Sequence, residues 1–421
     1  MEPQVGHVSI RPYSFLRNKV GIMAHRKKNR NVGVIGVGQT KHSSHREDVN
    51  QPEMVHEAVR EALDDAGLTI SDIDCIVHGN MELFEMIHQP DLWHCLGTGA
   101  YGKDSFRLTT GGTTGATLFC AGDNLVASGM YDVAMVIGFE KLQEGHTTGG
   151  ITNMADPLWF RSLQTGALTG TCAYDLIQEF GEERANKVAM MYRIIMDQHA
   201  SLNPKAHRAF GLEWDQMDHL IETSTKLIGD LKIIDMCSQS DGACAVIMAS
   251  EEKAKQLSDK PVWVRDHITV HREETITILG YDQATKPPST HNVAATELFK
   301  RNGISNPLEY FDVFEMYDPS SWWGVDWLRD FFLLEGDEHL KLVESKEIEI
   351  GGKIPINPSG GVIASNPIGA TALVRPAEAC LQVRGDAGPH QIPTAVNHAL
   401  ASGFGGTVWT VLIMLEKELG W

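Results

Sequence analysis

Long apolar runs are missing from this sequence of 421 residues. No stretch approaches the roughly 18 consecutive apolar residues that a membrane-spanning helix needs, so we predict no such helix and no membrane partner. The first 30 residues also lack the apolar centre of a signal peptide, although residues 26–30 form a basic cluster. We interpret residues 1–30 as an N-terminal extension, with Met23 as a candidate natural start.

Positive charge is scarce as well. The 36 lysines and arginines stand against 55 aspartates and glutamates, which gives a formal net charge of -19. So acidic a chain is unsuited to nonspecific binding of nucleic acid or of an anionic membrane surface. We therefore expect no nucleic-acid partner, and any anionic ligand would need a local binding site.

The seven cysteines never form a CxxC pair, and their number is odd. They are Cys75, Cys95, Cys120, Cys172, Cys237, Cys244 and Cys380. A scattered, odd set argues against a disulfide framework and against a structural zinc site. The pattern is typical of reduced thiols, so we expect a cytoplasmic protein without a metal site.

What the chain does contain is ordinary for a globular protein, with 42% hydrophobic and 22% charged residues. Strand and helix patterns alternate through both halves, which favours an α/β fold. Residues 31–38, NVGVIGVG, predict a glycine-rich strand. They are not a dinucleotide-binding fingerprint, because the polar residues 39–51 follow where that motif needs a helix.

The most informative stretch is residues 107–128, RLTTGGTTGATLFCAGDNLVAS, which predicts a short strand, a glycine-rich turn and a helix. Apolar residues recur at helical spacing after the turn, and a helix end is predicted at Gly129. Gly111, Gly112 and Gly115 allow the backbone to approach a substrate closely. Amide N–H groups at such a helix start can stabilise a developing oxyanion.

This stretch resembles the thiolase superfamily, whose members carry a nucleophilic cysteine here in a pattern like Ala-Cys-Ala-Ser-Gly. The Ser-Gly at residues 128–129 and the Gly-Phe-Glu-Lys at residues 138–141 also match that family. Laid over the pattern, the turn puts Gly112 where the cysteine should be. Cys120 cannot replace it, because it lies roughly 12 Å along the helix at about 1.5 Å per residue, and we expect it to be a packing residue.

The resemblance spans residues 31–418 and implies the thiolase fold. That fold has two βαβαβαββ halves in a five-layered α-β-α-β-α arrangement, with an inserted loop domain that covers the coenzyme A site. We place the halves at residues 31–255 and 256–421, and the loop domain at residues 142–231. Its glycine- and threonine-rich start is residues 145–152.

Three further motifs match those of that family except at the positions of the reactive residues. Residues 315–318, Glu-Met-Tyr-Asp, stand where relatives have Glu-x-His-Asp, so Tyr317 takes the place of a histidine. Residues 365–370, Ser-Asn-Pro-Ile-Gly-Ala, stand where relatives have Gly-His-Pro-x-Gly-Ala, so Asn366 takes the place of a second histidine. At residues 402–406, SGFGG, the chain offers a serine hydroxyl where many relatives have a cysteine.

Loss of the cysteine together with its activating histidine predicts a changed mechanism, since an acyl-cysteine needs both a thiolate and a base. The Tyr317 phenol, the Asn366 amide and backbone N–H groups near Gly112 and Gly405 can still stabilise an enolate or alkoxide. Tyr317 could also act as the acid or base. The alternative is that Tyr317 is a buried structural tyrosine in a fold reused for binding.

Residues 318–327, DPSSWWGVDW, depart most from the family. Trp322 and Trp323 suggest a flat apolar pocket for an aromatic or cyclic acyl group, with a core or dimer contact as the alternative. The other substrate-binding candidates lie in the turn NPSGG: Ser359, Gly360 and Gly361.

The resemblance implies an acyl-CoA enzyme, with coenzyme A as substrate or part of the substrate and no tightly bound cofactor. One hypothesis is thiolysis of a β-ketoacyl-CoA, similar to benzoylsuccinyl-CoA thiolases, in which coenzyme A itself attacks the keto carbon. A second is retro-aldol cleavage of a β-hydroxyacyl-CoA, similar to steroid side-chain aldolases. A third is a non-catalytic acyl-CoA or lipid carrier. Tyr317 favours the second hypothesis, and Asn366 fits neither enzyme closely.

The resemblance is closest to the archaeal and lipid-transfer-protein-like branch of the superfamily. It implies a homodimer. Many members of that branch also work with a small partner subunit built from a zinc ribbon and an OB fold, so such a subunit is a candidate partner.

Overall fold

The computed structural model describes residues 28–85, 87, 89–92, 94–145, 165–271, 288–406 and 409–420, with backbone alone at residues 165–171. Residues 1–27 of the predicted extension and nearly all of residues 145–152 lie outside the described residues. Among the residues described, no helix combines the length and apolarity that a membrane span requires.

The strands form one large sheet and one hairpin. They are β1 (Val32–Gln39), β2 (Cys75–Gly79), β3 (Asp104–Arg107), β4 (Val133–Lys141), β5 (Lys226–Ile228), β6 (Leu231–Lys232), β7 (Asp241–Ser250), β8 (Val262–His271), β9 (Val313–Glu315), β10 (His398–Gly405) and β11 (Trp409–Glu416).

The helices differ widely in length. They are α1 (Gln51–Ala66), α2 (Cys95–Thr98), α3 (Thr114–Ser128), α4 (Thr165–Phe180), α5 (Glu182–Leu202), α6 (Met217–Thr223), α7 (Glu251–Leu257), α8 (Thr290–Arg301), α9 (Pro307–Tyr310), α10 (Ser321–Phe332), α11 (Glu338–Glu344), α12 (Gly361–Ala364) and α13 (Ile368–Arg384). Short 3-10 turns lie at Ile70–Asp72, Pro90–Leu92, Leu142–Glu144, Trp214–Gln216, Ile233–Asp235 and Gly388–His390.

The large sheet repeats one strand order in two halves. Its order is β3-β2-β4-β7-β1-β8-β11-β10-β9, and the halves meet where Gly33 and Val34 of β1 pair with Trp263 and Val262 of β8. Read from each outer edge, β2-β4-β7-β1 corresponds to β9-β10-β11-β8. A parallel bridge from Phe314 to Ile356 occupies the place that β3 holds in the first half.

Helices cover both faces of the sheet and fill the space between its halves. Helix α1 packs through Met54, Val55, Ala58 and other apolar residues on the outer face of the first half. Helix α8 packs on β8 and β11 of the second half, and α13 contacts strands of both halves. With α3 beside α13 in the centre, these layers confirm the predicted α-β-α-β-α arrangement.

The sequence predicts helix α1 from Pro52 in its first turn to a stop at Gly67, and local interactions hold both of its ends. The Asn50 side chain accepts a hydrogen bond from the Glu53 amide, and the Glu53 carboxylate accepts one from the Asn50 amide. This capping box satisfies N–H groups that the first turn leaves free. Gly67 ends the helix with a φ of 65°, a left-handed conformation that favours glycine.

Helix α10 begins at Ser321, within the segment 318–327. No secondary structure was predicted for this segment from the sequence. Ser320 caps the helix by accepting a hydrogen bond from the Trp323 amide. The sequence of residues 310–316 predicts a strand, and the observed strand is shorter, because α9 includes Tyr310 and β9 is limited to Val313–Glu315. The predicted boundaries of the halves and of the loop domain stay predictions.

The two central helices approach each other closely at Gly115. A Cβ atom added there would overlap the backbone of Leu373 in α13. At Gly351, by contrast, no heavy atom lies within 4 Å of an added Cβ.

We expect Gly115→Ala to destabilise the protein by about 1–3 kcal/mol, because overpacking forces the helices apart. Gly351→Ala is the matched control and should change the free energy of unfolding by less than about 0.5 kcal/mol. Urea denaturation of both variants measures the difference. Equal stabilities would show that α3 and α13 can separate freely.

Candidate active site

The start of α3 meets the ends of β9 and β10 at Gly112. A Cβ atom added to Gly112 would overlap the carbonyl oxygen of Phe404 and would lie 3.5 Å from the Tyr317 hydroxyl oxygen. A cysteine side chain therefore does not fit at this position unless β10 moves. The space in which relatives would carry a nucleophile adjoins a phenol instead.

Tyr317 is held from two sides. Its backbone N–H donates to the Ser402 hydroxyl at 3.0 Å, and its ring lies 5.9 Å from the ring of Phe404, between centroids. The side chain is 4% exposed, and this burial raises the pKa of the phenol above its ordinary value. At neutral pH Tyr317 is therefore protonated, and its hydroxyl is able to donate a hydrogen bond.

Asn366 lies in the turn before α13 with both ends of its amide engaged. Its Oδ1 accepts a hydrogen bond from the Thr371 hydroxyl at 2.9 Å. Its Nδ2 donates to the sulfur of Cys237 at 3.3 Å. Because Thr371 fixes the amide orientation, the N–H group is directed toward Cys237.

Cys237 belongs to the site, and the sequence analysis did not single it out. Its half-buried thiol lies close enough to raise the pKa of Tyr317 as a secondary cause after burial. Burial raises the pKa of the Cys237 thiol itself to about 11, so the thiol is neutral at neutral pH. Cys120, expected to be a packing residue, lies in the hydrophobic core.

Strand pairing explains how Cys237 reaches the site. Strand β7 runs antiparallel to β4, so that Asp241 at its start pairs with Lys141 at the end of β4. Residues just before Asp241 therefore lie at the same sheet edge as residues just after β4. The sequence indicates both strands, but it does not show the register in which they pair. The position of Cys237 could therefore not be predicted from the sequence.

His207 is a second residue that the sequence analysis missed. Its backbone N–H donates to the Ser365 hydroxyl at 2.9 Å, and its Nδ1 lies 2.9 Å from the Ser240 hydroxyl. The Ser240 oxygen also accepts a hydrogen bond from the Asn366 backbone N–H at 3.1 Å. The turn after α5 thus delivers an imidazole to the segment that carries Asn366.

The tryptophans of α10 separate onto two sides of the helix. Trp323 and Trp327 stack with centroids 5.1 Å apart, and both lie against Phe404, at 5.3 Å and 4.8 Å. They therefore reach the ring that packs on Tyr317. Trp322 is fully buried, and its indole N–H donates to Asp235 at 2.9 Å on another side.

The turn with Ser359, Gly360 and Gly361 contacts residues on both sides of Tyr317 in the chain. The Ser359 hydroxyl donates to Glu315 at 2.7 Å, and Arg375 of α13 forms a buried ion pair with the same carboxylate at 2.6 Å. An added Cβ at Gly361 would lie 2.5 Å from the Asp318 carboxylate. These contacts fix the turn to the end of β9, and its part in substrate binding stays a prediction.

The remaining oxyanion candidate, Gly405, lies at the end of β10 beside Thr113. An added Cβ there would lie 3.2 Å from the Thr113 Cγ2 atom. The structure therefore brings Gly112, Gly405, Tyr317 and Asn366 into one region around the start of α3. Within the described ranges, no cluster of three or more metal-ligating side chains forms.

The buried Glu140 carboxylate fixes the start of α13. Glu140 accepts hydrogen bonds from the backbone N–H groups of Gly369 and Met81, at 2.9 Å and 3.0 Å. Burial, and then the neighbouring Glu85 carboxylate, raises the pKa of Glu140 well above its ordinary value. Glu140 is the acidic residue in the strand-end pattern Gly-Phe-Glu-Lys, so that motif holds the Asn366 turn against β4.

Asp318 generates a prediction about pH. Burial raises its pKa from 3.8 to about 7, while the Val362 N–H and the Tyr192 hydroxyl donate to its carboxylate. Because the folded state binds this proton more tightly than the unfolded chain, the stabilisation is present below pH 3.8 and is lost as the pH rises to about 7.

We expect Asp318→Asn to lose less stability than the wild type between pH 4 and 7. The difference is up to on the order of 4 kcal/mol, at 1.36 kcal/mol per pKa unit. The exposed Asp64→Asn is the control and should leave the slope unchanged. Denaturant unfolding across this pH range measures both. A slope in Asp318→Asn equal to that of the wild type would contradict the prediction.

Comparison with known proteins agrees with this architecture. Residues 281–417 match the family Thiolase C-terminal domain-like. The chain is 31% identical over 392 residues to an acetyl-CoA acetyltransferase of Methanothermobacter thermautotrophicus, covering 91% of this chain and 98% of that protein. It is 28% identical to sterol carrier protein 2 of Gallus gallus, covering 91% of this chain and 71% of that protein.

Solved structures share the fold at lower identity. The structure described as an Ltp2-ChsH2(DUF35) aldolase has a TM-score of 0.77 at 23% identity, covering 93% of this chain and 99% of that one. Human mitochondrial 3-ketoacyl-CoA thiolase has a TM-score of 0.66 at 14% identity, covering 93% and 100%. With a relative of 31% identity over nearly its full length, this chain belongs to the thiolase superfamily, in its lipid-transfer-like branch.

Proposed function

We propose that this protein makes or breaks a C–C bond in a CoA thioester with a bulky, aromatic or cyclic acyl group, without an acyl-cysteine. The observation that carries the proposal is the geometry at Gly112, where a side chain would overlap Phe404 and where the Tyr317 hydroxyl lies close by. A donor to a substrate oxygen thus occupies the region in which relatives form a covalent bond.

The same donors serve two forms of the reaction. In thiolysis, coenzyme A attacks a β-keto carbon, and Tyr317 and Asn366 polarise the carbonyl. In retro-aldol cleavage, a β-hydroxyl loses its proton as the C–C bond breaks, and the donors stabilise the resulting enolate. Tyr317 at a histidine position favours the retro-aldol form, and the solved relative described as an aldolase has the same fold.

The aromatic group next to Tyr317 supports a bulky acyl substrate. Trp323, Trp327 and Phe404 lie within 5.3 Å of one another between ring centroids. Flat apolar walls of this kind suit a ring system through offset-stacked or edge contacts. A non-catalytic acyl-CoA carrier, the remaining alternative, would use the same wall and would show no turnover.

The surface around β3 supports a homodimer. Strand β3 forms the edge of the large sheet, and large apolar side chains near it are exposed: Leu92, Leu96, Tyr101, Phe106 and Met130. An open strand edge beside apolar side chains favours pairing with another chain. We also propose a small partner subunit of the zinc-ribbon and OB-fold kind, since the aldolase of the same fold is described together with a second protein.

Cys237 is the thiol to test, because it alone among the cysteines described above contacts Asn366. Since its pKa is raised to about 11, we expect no acyl-enzyme at this residue. Cys237→Ser should retain turnover within about tenfold, and the exposed Cys95→Ser is its control. Intact-mass analysis of the wild type after brief exposure to substrate should show no acyl adduct. An adduct mapped to Cys237 would overturn the proposal of a non-covalent reaction.

Tyr317→Phe separates the two forms of the reaction. If Tyr317 only polarises a carbonyl, the loss of one donor costs about 10²–10³ in kcat and leaves measurable activity. If it also takes part in proton transfer at a β-hydroxyl, turnover should be abolished while binding of the CoA thioester is nearly unchanged. Tyr174→Phe, at an exposed tyrosine, is the control.

The assay offers β-ketoacyl-CoA with coenzyme A and, separately, β-hydroxyacyl-CoA without it. Two acyl-CoA products from the keto substrate establish thiolysis, and a free aldehyde or ketone from the hydroxy substrate establishes the aldolase. If wild type turns over neither substrate with aromatic, steroid and short-chain acyl groups, while coenzyme A still raises the melting temperature, the carrier function is supported instead.

A further inference from the structure

Both forms of the proposed reaction need a proton acceptor as well as hydrogen-bond donors. The identity of this acceptor is inferred on the basis of the proposed function. In retro-aldol cleavage the acceptor takes the β-hydroxyl proton, the O–H electron pair forms the C=O bond, and the C–C electron pair becomes an enolate that is protonated at Cα. In thiolysis the acceptor takes the thiol proton of coenzyme A, and the same enolate forms when the C–C bond breaks.

The groups already placed at the site are donors. Tyr317 keeps its proton at neutral pH, because burial raises the pKa of its phenol. The Asn366 Nδ2 carries only N–H groups toward Cys237. The Cys237 thiol, with a pKa of about 11, is protonated as well. A base must therefore come from another residue.

His207 is linked to the turn of Asn366 by one direct hydrogen bond and by a second that runs through Ser240. Its backbone N–H donates to Ser365, its Nδ1 meets the Ser240 hydroxyl, and Ser240 in turn accepts from the Asn366 N–H. The Ser240 backbone N–H also donates to the Asn366 carbonyl at 3.3 Å. The imidazole is thus fixed beside Asn366 although it comes from a distant part of the chain.

The hydrogen bonds of Ser240 allow the tautomer of this imidazole that carries its proton on Nδ1. The Ser240 oxygen can accept from both the His207 Nδ1–H and the Asn366 N–H, and it can donate its own proton to the Ser238 hydroxyl at 3.1 Å. This arrangement satisfies every group and leaves the Nε2 lone pair of His207 unused. Among the described residues, none bonds to Nε2, and the ring is partly exposed.

We propose that His207 is the proton acceptor of the reaction, through its Nε2 atom. The charged and titratable groups that face the ring are Arg208 on the same turn and His42 after β1. Burial, and then the Arg208 charge, lowers the pKa of His207 below 6.5, so the imidazole is neutral and basic at neutral pH. The chain thereby replaces a histidine lost at position 366 by one from the turn after α5.

The test compares His207→Gln with His56→Gln, a substitution at an exposed histidine of α1. We expect His207→Gln to lower kcat/KM by about 10²–10⁴, the usual contribution of a general base. In the wild type, kcat/KM should fall as the pH drops through the pKa of His207, and this acid limb should vanish in the variant. Added imidazole should restore part of the activity. The shift in melting temperature with coenzyme A should be unchanged.

Each failure has its own signature. If wild type is active and His207→Gln retains kcat/KM within about threefold with the same acid limb, the proposal for His207 is overturned and the proposed function stands. If the variant loses both its activity and the shift in melting temperature with coenzyme A, His207 has a structural or binding role and the proposal is again overturned. If wild type turns over no CoA thioester, the proposed function fails and the role of His207 fails with it.

Discussion

The close approach of α3 to β10 and α13 is the constraint on which the rest of the site depends. At Gly115 the backbone of α13 leaves no room for a methyl group, and at Gly112 the carbonyl of Phe404 does the same. Both halves of the sheet therefore meet at the N-terminal turn of α3 with almost no space between them. A reactive side chain at position 112 or 115 would overlap these neighbours, so chemistry beside these two residues must come from side chains on neighbouring segments.

Buried charge then fixes where those neighbouring side chains stand. The Glu315–Arg375 ion pair joins β9 to α13 with both side chains almost fully buried, and Ser359 bonds to the same carboxylate. Breaking such a pair by removing one partner leaves an uncompensated charge in the interior, which is far more costly than losing a surface pair. The distance between the β9 end, which carries Tyr317, and the helix that follows Asn366 is thus set by an interaction that resists small adjustments.

The sequence predicted those parts of the fold that short-range rules decide. Helix α1 was predicted from Pro52 in its first turn and the stop at Gly67, and the turn at Gly112 from its glycines and the apolar spacing after it. Tyr317 and Asn366 were identified as candidate site residues from their positions in motifs that resemble those of the family. Cys237 and His207 were missed, because they enter the site through a strand register and a loop return that no local pattern encodes. Helix α10 was not predicted, although Trp323 and Trp327 stand four residues apart and stack on one face of the helix.

The bond between Asn366 and Cys237 has a consequence for how the site changes between empty and occupied states. Sulfur accepts hydrogen bonds more weakly than oxygen does, so the Asn366 N–H at 3.3 Å from the thiol is satisfied without being strongly held. In the proposed reaction, a substrate carbonyl would replace the thiol as acceptor of that N–H, while Thr371 keeps the amide in the same orientation. The thiol would thus be the acceptor of this N–H in the empty site, and the substrate oxygen would take its place without any rotation of the side chain.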